Sequence, residues 1–313
     1  MPDALIAREL GRRYEWRGGS RQALTALNLR IPQGGLLGLI GRNGAGKTTF
    51  VRIATTQLLP TSGELSVLGH DVVKEAPEVR RRIAVIPQES RPLYWLTPRE
   101  LVAYYLRMRG TPRKEAQERS GIALRELALV PWADVQVNRL SGGLRRRAMV
   151  AMVMASDAEM IFLDEPTTGL DPLARRSVWA AIRKAVGEHR TVVLTTHYLD
   201  EAEALSDRLA LLEGGRLLLE GTPREVASHV RYPYRVSVES GFTEEELRSY
   251  GEVSRIGTRL LVFTHEEEAR EIARRGLERG ARIALGPVSL EDIFIQMVGE
   301  EFQNEAGEEA EHG

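Results

Sequence analysis

Cysteine is absent from this 313-residue sequence, and so is any long apolar run. Without cysteine the chain can form no disulfide, no thiolate zinc site and no cysteine nucleophile. The longest apolar stretch, residues 148–155, falls well short of the ~18–20 residues that cross a bilayer, and it predicts a buried helix instead. Residues 1–8 lack the charged-then-apolar pattern of a secretory signal. We therefore expect any role at a membrane to come through a partner.

An excess of charge of either sign is also missing. Lysine and arginine together number 43 against 44 aspartate and glutamate residues, which leaves a net charge of −1. This balance creates no overall positive field that would attract nucleic acid or an anionic membrane, so we expect no nucleic-acid partner. Lysine is scarce and occurs only as Lys47, Lys74, Lys114 and Lys184. The 42% hydrophobic and 28% charged content is typical of a globular protein, here of roughly two domains by length.

Residues 41–48, with the sequence GRNGAGKT, match the phosphate-binding pattern G-x-x-x-x-G-K-[ST] at every fixed position. A strand is predicted before this phosphate loop at 36–40 and a helix after it at 49–54. The glycines allow backbone N–H groups to turn towards phosphate oxygens, and the helix N-terminus adds partial positive charge. Lys47 supplies a cation for the β- and γ-phosphates, and Thr48 supplies a hydroxyl for Mg²⁺. The residues expected to bind nucleotide here are Gly41, Arg42, Asn43, Gly44, Ala45, Gly46, Lys47, Thr48 and Thr49.

A second apolar strand is predicted at 160–163, and two carboxylates follow it directly. The carboxyl ends of parallel strands meet at one edge of a sheet, so Asp164 and Glu165 are expected beside the phosphate loop. Asp164 suits Mg²⁺, directly or through water, and Glu165 suits activation of the attacking water as a general base. Alone, two acids at a strand end could simply begin a turn; the phosphate loop favours the catalytic interpretation.

Ser141, Gly142 and Gly143 form a third motif at the start of a predicted helix. Serine is a good N-cap, and the two glycines expose backbone N–H groups at the positive end of the helix. That geometry binds an anion. Because Ser-Gly-Gly also opens ordinary helices, the motif is informative mainly in combination with the other two.

Together, the three motifs resemble the nucleotide-binding subunit of ABC transporters, in the family's order and over about residues 3–228. Residues 140–144 are similar to the family's LSGGQ signature, except that Leu144 replaces the glutamine, and residues 169–171 are similar to its D-loop. The fold that the resemblance implies is α/β: a P-loop ATPase domain with a mostly parallel sheet, an antiparallel β subdomain and a helical subdomain.

The resemblance also implies roles for single residues. Tyr14 would stack on adenine, with Trp16 as a competing candidate. Gln88 would contact the γ-phosphate and Mg²⁺, and His197 would steady the transferred phosphoryl group. The implied catalytic residues are Lys47, Gln88, Asp164, Glu165 and His197, and the implied metal ligands are Thr48, Gln88 and Asp164.

In the family, each ATP is held between the phosphate loop of one subunit and the signature of another. The resemblance therefore implies a Mg²⁺-dependent ATPase that pairs with a second copy of itself. Ser141, Gly142 and Gly143 would bind nucleotide in trans, since a single chain carries one phosphate loop and one signature. A symmetric homodimer would hold two equal sites.

Residues 195–208 and 288–294 resemble the ABC-2 type exporter branch, the daunorubicin-resistance-like proteins. This implies a separate integral membrane permease as partner and a peripheral position on the cytoplasmic side of the membrane. Tyr94 and Trp95 could seat that partner or pack within the helical lobe. The alternative class is a soluble ABC ATPase of translation or DNA maintenance; a small kinase or GTPase would have no use for the Ser141 motif.

The chain is expected to contain an ABC nucleotide-binding domain at 1–230 with a helical subdomain at about 90–155. A small α+β C-terminal domain at 231–299 and an acidic, disordered tail at 300–313 follow. The strands predicted in the first domain are 3–9, 26–31, 36–40, 64–69, 83–88, 160–163, 191–195 and 208–212. The helices predicted there run to about Leu58, from 98 to 129 with a break at 110–112, after 143, and at 173–186 and 199–206. The C-terminal predictions are strands 234–239, 252–256, 259–264 and 281–285 and helices 243–250 and 266–279.

Overall fold

The computed structural model describes residues 2–88, 93–228 and 230–294. The chain divides into two compact units, Met1–Glu220 and Gly221–Gly313. The predicted acidic tail at 300–313 lies outside the described residues. The predicted domain limits of 1–230 and 231–299 remain predictions.

Strands and helices alternate through most of the first unit, as expected for an α/β fold. The strands are β1 Asp3–Trp16, β2 Gly19–Pro32, β3 Gly35–Ile40, β4 Ser62–Val67, β5 His70–Asp71, β6 Ile83–Ile86, β7 Met160–Asp164, β8 Thr191–Thr196, β9 Arg208–Glu213 and β10 Arg216–Gly221. The helices are α1 Lys47–Ala54, α2 Ala76–Arg82, α3 Pro98–Met108, α4 Arg113–Glu126, α5 Gly142–Met154, α6 Pro172–Gly187 and α7 Leu199–Leu205. α2, β5 and β10 were not predicted.

A mostly parallel sheet forms the centre of the first unit, with the strand order β10-β9-β3-β8-β7-β6 in the part of the chain that is described. β3 is parallel to its neighbours β8 and β9, and β7 is parallel to its neighbours β8 and β6. The strands β3, β8, β7 and β6 therefore end at the same edge of the sheet. The mainly parallel sheet expected from the sequence is confirmed.

The central sheet is buried on both faces. Consecutive residues of a strand point to opposite sides, so Leu36 packs in the core that contains α3 to α6, while Leu37 packs in the core that contains α1 and the antiparallel strands. Ile161 and Phe162 divide between the same two cores. Because neither face meets water, β7 is buried along its whole length and carries an almost unbroken apolar sequence.

An antiparallel sheet with the order β2-β1-β4-β5 covers one of these cores. β1 and β2 form a long hairpin, whereas the sequence predicted only strands 3–9 and 26–31. Pairing continues further because register shifts absorb the irregular residues Glu9 and Ala26, which take left-handed φ angles of 47° and 46°. This extension places Tyr14 in β1, paired with Arg21.

Helices α3, α4 and α5 share the other core and form the expected helical lobe. The predicted break at 110–112 lies between α3 and α4, but α4 ends at Glu126 rather than near 129. Helix α1 also ends earlier than predicted, because Thr55 Oγ1 donates to the Val51 carbonyl at 2.8 Å and Thr56 turns to a φ of 62°. Within the described ranges, no helix is long and apolar enough to cross a membrane.

The second unit has an antiparallel sheet and a small core of its own. Its elements are α8 Pro223–Ala227, β11 Tyr234–Val238, α9 Glu244–Arg248, β12 Glu252–Ile256, β13 Arg259–Thr264, α10 Glu266–Glu278 and β14 Ile283–Pro287. The strand order is β12-β13-β11-β14. The core contains Val236, Val238, Leu247, Leu260, Val262, Ala269 and Ile272. The strand predicted at 281–285 lies two residues later. Helix α8, which was not predicted, begins with a capping box between Thr222 and Glu225.

Candidate active site

The central sheet brings segments that are distant in sequence to one edge. The phosphate loop follows β3, Gln88 follows β6, Glu165 follows β7 and His197 follows β8. Because these four strands are neighbours and parallel, the segments after their carboxyl ends lie side by side. The sequence predicted that the carboxylates lie beside the phosphate loop. The order of the parallel strands explains why they do.

The phosphate loop requires glycine where the backbone passes closest to other chain segments. Gly41 and Gly46 have φ angles of 155° and 106°. A Cβ added at Gly41 would lie 2.2 Å from the Leu212 carbonyl oxygen, and one at Gly46 would lie 2.6 Å from the Ala23 carbonyl oxygen. No side chain fits at either position, so the loop keeps the tight turn that directs backbone N–H groups inward.

Lys47 begins α1 and is almost fully buried, with 5% of its surface exposed. Its Nζ donates to the carbonyl oxygens of Gly41 at 2.6 Å and Arg42 at 3.1 Å. Burial lowers the pKa of Lys47, while the nearby carboxylates of Glu165 and Asp164 act in the opposite direction. A buried cation at the base of a loop of backbone N–H groups gives the site a strong preference for an anion.

Thr195 in β8 fixes the two carboxylates at the end of β7. Its hydroxyl donates to Asp164 Oδ1, and its carbonyl oxygen and Oγ1 both accept from the backbone N–H of Glu165, each at 3.1 Å. Glu165 has a φ of 52°, a left-handed conformation that non-glycine residues rarely adopt. Such strain is typical of residues whose position is set by function.

The Glu165 carboxylate is held between two neighbours. The Thr168 hydroxyl donates to Oε2 at 3.2 Å, and His197 Nδ1 lies 3.3 Å from Oε1. On the adjacent loop, Thr48 Oγ1 donates to Gln88 Oε1 at 3.4 Å. The hydroxyl, amide, carboxylate and imidazole groups singled out in the sequence are therefore close neighbours in the fold.

These groups surround a cavity of about 310 Å³. Its lining consists of Tyr14, Arg21, Ala23, Asn43, Gly44, Gly46, Lys47, Thr48, Thr49, Gln88, Glu165 and His197. Among the described residues, four with a predicted role in the same subunit lie outside that lining: Gly41, Arg42, Ala45 and Asp164. Asp164 is instead buried directly behind the lining, where it accepts from Thr195.

Arg21 and Ala23 were missed because their place depends on the β1–β2 hairpin. Arg21 Nη2 donates to the Gly44 carbonyl at 3.3 Å, so it adds a second cation beside the phosphate loop. Tyr14 lines the same cavity, and its hydroxyl lies 3.4 Å from Thr49 Oγ1, whereas Trp16 is not part of the lining in the described chain. The sequence would have indicated Arg21 only if the β1–β2 hairpin had been known, because the hairpin places this arginine beside the phosphate loop.

Ser141 has the predicted role of N-cap to α5, and its Oγ accepts from the Leu144 N–H at 3.3 Å. Ser141 and Gly142 are exposed, Gly143 is half-buried, and none of the three is among the residues lining the cavity. In the described part of one chain, the Ser141 motif therefore lies outside the cavity that the phosphate loop lines.

The donor set of the cavity suits a nucleoside triphosphate with a divalent cation. Backbone N–H groups and Lys47 match phosphate oxygens, and Tyr14 offers an aromatic face. No group of three or more His, Cys, Asp or Glu side chains placed to hold a metal occurs among residues 2–88, 93–228 and 230–294. Mg²⁺ commonly takes one or two protein oxygens and completes its shell with phosphates and water, so a site for it does not require such a group. Fold and site define a P-loop ATPase.

Comparison with known proteins narrows this class. The sequence profile described as ABC transporter matches residues 24–168. The chain is 35% identical to the daunorubicin resistance ATP-binding protein DrrA3 of Streptomyces coeruleorubidus, covering 92% of this chain and 94% of that one. It is 33% identical to the Nod factor export ATP-binding protein I of Rhizobium etli, covering 91% of each. The ATP-binding cassette MJ0796, solved as a dimer bound to ADP and Pi, matches with a TM-score of 0.65 and 25% identity over 70% of this chain and 98% of that one.

The chain belongs to the ABC transporter family, in the branch of exporter ATP-binding subunits that includes these relatives. It is thus an ATP-binding and ATP-hydrolysing subunit, and the predicted exporter function is confirmed over the soluble ATPase alternative.

A buried carboxyl group lies behind the His197 loop. Glu201 in α7 has no exposed surface, and its Oε1 accepts from Trp179 Nε1 at 2.9 Å. Its Oε2 is buried without a hydrogen-bond partner in the described structure. Burial raises the pKa of Glu201, and its polar neighbours only partly oppose that shift. The Glu201 side chain thus links α6, which carries Trp179, to α7.

Replacing Glu201 by glutamine is expected to raise stability relative to the wild type increasingly as the pH rises above the ordinary glutamate pKa of 4.5. The unfolded chain loses the Glu201 proton near its ordinary pKa of 4.5, while the folded chain holds it to higher pH. Between these two pKa values the wild-type protein loses stability with rising pH, and glutamine, neutral throughout, does not. Thermal unfolding of both proteins across this range measures the difference in Tm.

The matched control is Glu203→Gln, which changes an exposed residue of the same helix and should give a difference in Tm that is independent of pH. A Glu201→Gln difference that stays constant or shrinks as the pH rises would contradict a raised pKa at this position.

Proposed function

We propose that this subunit is a Mg²⁺-dependent ATPase that forms a symmetric pair and drives a separate membrane permease. The observation that carries the proposal is the separation of two anion-binding surfaces. Lys47, Thr48 and Glu165 surround one cavity, and the Ser141 motif begins α5 away from it. A two-fold axis would bring the motif of one copy over the cavity of the other, and both sites would then be complete.

In the proposed site, Lys47 and the phosphate loop bind the β- and γ-phosphates, and Tyr14 stacks on the base. Glu165 takes a proton from the attacking water, and His197, 3.3 Å from the Glu165 carboxylate, steadies the transferred phosphoryl group. Bound Mg²⁺, held by Thr48 and Asp164 with Gln88 nearby, would supply positive charge against the charge that develops on the phosphates.

The Ser141 motif would contact the γ-phosphate only while ATP is intact. Its exposed N–H groups favour the closed pair with ATP bound, and hydrolysis removes the anion that they hold. Opening and closing would thus follow the state of the nucleotide. The cassette dimer solved with ADP and Pi supports pairing as a property of related proteins.

The permease surface is proposed around Tyr94 and Trp95, which follow Gln88 in the sequence. They are 39% and 66% exposed, whereas neighbouring Leu96 packs against the core of the helical lobe. Exposed aromatic side chains are enriched at protein interfaces. The relatives named for daunorubicin resistance and Nod factor export support an exporting complex, with this subunit on the cytoplasmic side of the membrane.

The pairing is tested by light scattering on purified Glu165→Gln protein, because slow hydrolysis preserves the closed state. Mg-ATP is expected to convert the monomer to a dimer, while ADP leaves it monomeric. A sample with ATP but no Mg²⁺ tests whether dimer formation requires the metal; we expect it to remain monomeric. If the protein binds ATP but its mass does not change, the proposal of a site shared by two copies of this chain is overturned, and a different second subunit is indicated.

A further inference from the structure

Arg146 connects the helix of the Ser141 motif to the two loops that carry the catalytic groups. It lies in α5, five residues after Ser141, and it is half-buried. The guanidinium donates to backbone carbonyl oxygens in two separate segments. One segment is Asp164 to Pro166 after β7, and the other is Pro87 and Gln88 after β6.

The two shortest of these bonds go to the β7 segment. Nη2 donates to the carbonyl oxygens of Asp164 at 2.6 Å and Glu165 at 2.8 Å, and Nε donates to that of Pro166 at 3.3 Å. These carbonyl groups lie at or beyond the last residue of the strand. Buried carbonyl groups require partners, and the arginine supplies one to each of them; the Glu165 carbonyl also accepts from the Thr168 N–H at 3.4 Å.

The bonds to the β6 segment come from the other nitrogen. Nη1 donates to the carbonyl oxygens of Pro87 at 3.0 Å and Gln88 at 3.4 Å. A planar guanidinium presents donors in several fixed directions, so one rigid group can hold two loops at a set separation. Lysine, with a single point charge, could not reproduce that geometry.

Glu165 is therefore held from both sides. Its N–H is bound by Thr195 of β8, and its carbonyl oxygen is bound by Arg146 of α5. Between these two anchors the residue keeps its left-handed φ of 52°. Without the arginine, this carbonyl would lose its bond of 2.8 Å and keep the longer one from the Thr168 N–H, at 3.4 Å. The backbone could then relax towards a more ordinary conformation, and the carboxylate would leave its place 3.3 Å from His197.

Arg146 does not line the nucleotide cavity of the described chain. Its effect must then pass through the backbone of the residues that do, in particular Glu165 and Gln88. Because α5 begins at the Ser141 motif, a movement of that motif on binding a partner's nucleotide would reach these same carbonyl groups through the helix. Arg146 would thus link the Ser141 motif of a subunit to the loops after its own β6 and β7.

We propose that Arg146 is a positioning residue for ATP hydrolysis, which sets the Glu165 carboxylate and the Gln88 loop through their backbone carbonyls. The proposal rests on the catalytic role proposed above for Glu165. It requires that loss of Arg146 slows hydrolysis without weakening ATP binding. It also requires that the loss has little effect once Glu165 can no longer act.

A double-mutant cycle tests both requirements. Hydrolysis by Arg146→Ala and Arg146→Lys is expected to fall about 10- to 100-fold, the scale for a misplaced catalytic group, while the ATP Kd stays within about twofold. The same substitutions in Glu165→Gln protein are expected to change the residual rate less than about twofold, because the two residues act as one unit. Phosphate release gives the rate, and equilibrium titration gives the Kd.

Arg147→Ala is the matched control. Arg147 occupies the next position of α5, and its Nη1 donates to the Leu127 carbonyl at 3.1 Å within the helical lobe. This variant should lower the Tm without changing the rate of hydrolysis. Arg146→Lys retains a buried cation, so it decides the question if Arg146→Ala fails to fold.

An unchanged rate in the Arg146 variants would overturn the proposal. So would an equal loss in both backgrounds, or a Kd that rises by the same factor as the rate falls. If Glu165→Gln alone hydrolyses ATP at the wild-type rate, the proposed role of Glu165 fails first, and that outcome is distinguishable from the others.

Discussion

Replacing Glu165 by glutamine is expected to leave ATP binding intact and to slow hydrolysis at least ~100-fold, the scale for loss of a positioned base. Glutamine has nearly the same shape, so the bonds from Thr195 to the backbone and the left-handed conformation are retained. It cannot accept a proton from water. Phosphate release under saturating ATP, together with equilibrium ATP binding, measures the two effects separately.

Glu159→Gln is the matched control because Glu159 lies immediately before β7, at the opposite end of the same strand. It forms an exposed ion pair with Arg82, with Arg82 Nε 2.6 Å from Glu159 Oε1, and should have no influence on hydrolysis. Turnover near the wild-type rate in Glu165→Gln protein would remove Glu165 from the role of general base. A loss of ATP binding equal to the loss of rate would instead assign Glu165 to binding.

Two inactive variants are expected to restore activity when mixed. Lys47→Met removes the buried cation of the phosphate loop, and Gly142→Asp places a carboxylate where the Ser141 motif would meet the γ-phosphate. A Cβ at Gly142 meets nothing within 4 Å, and an acidic residue in the first turn favours a helix, so this variant should fold normally. A mixed pair holds one site in which both substituted residues meet and one site that is wholly intact.

If the sites act independently and the subunits pair at random, an equal mixture should reach about a quarter of wild-type activity, because half of the pairs carry one of two sites. Each variant alone should be nearly inactive, since both of its sites are damaged. The measurement is phosphate release from the separate and the mixed proteins at equal total concentration. Activity of the mixture equal to the mean of its components would contradict a site shared between two chains.

The parts of the site that could be predicted are those fixed by local sequence. The phosphate loop needs glycine at Gly41 and Gly46 for reasons that neighbouring backbone imposes, so its sequence pattern carries its conformation. The N-cap at Ser141 is equally local, because its Oγ bonds the Leu144 N–H three residues later. Asp164 and Glu165 were found because a buried strand ends where they begin.

The parts that were missed depend on pairing and packing between distant segments. Arg21 reaches Gly44 only because β1 and β2 continue past the irregularities at Glu9 and Ala26, and nothing in the alternation of apolar residues indicates that continuation. Arg146 donates to carbonyl groups 18 and 59 positions away. Every residue has a backbone carbonyl, so the sequence does not indicate which ones an arginine will bind. In the run of arginines at 145–147, each has a different environment that only the fold distinguishes.

The left-handed backbone at Glu165 has a consequence for how this protein could be stabilised. The conformation suits glycine, asparagine or aspartate better than glutamate, and holding glutamate there costs of order 1 kcal/mol or more. With the catalytic role proposed for Glu165, a search for heat-resistant variants would select substitutions at this position that relax the chain and abolish turnover. At this proposed catalytic carboxylate stability and activity would oppose each other, so screens for one property need a simultaneous measure of the other.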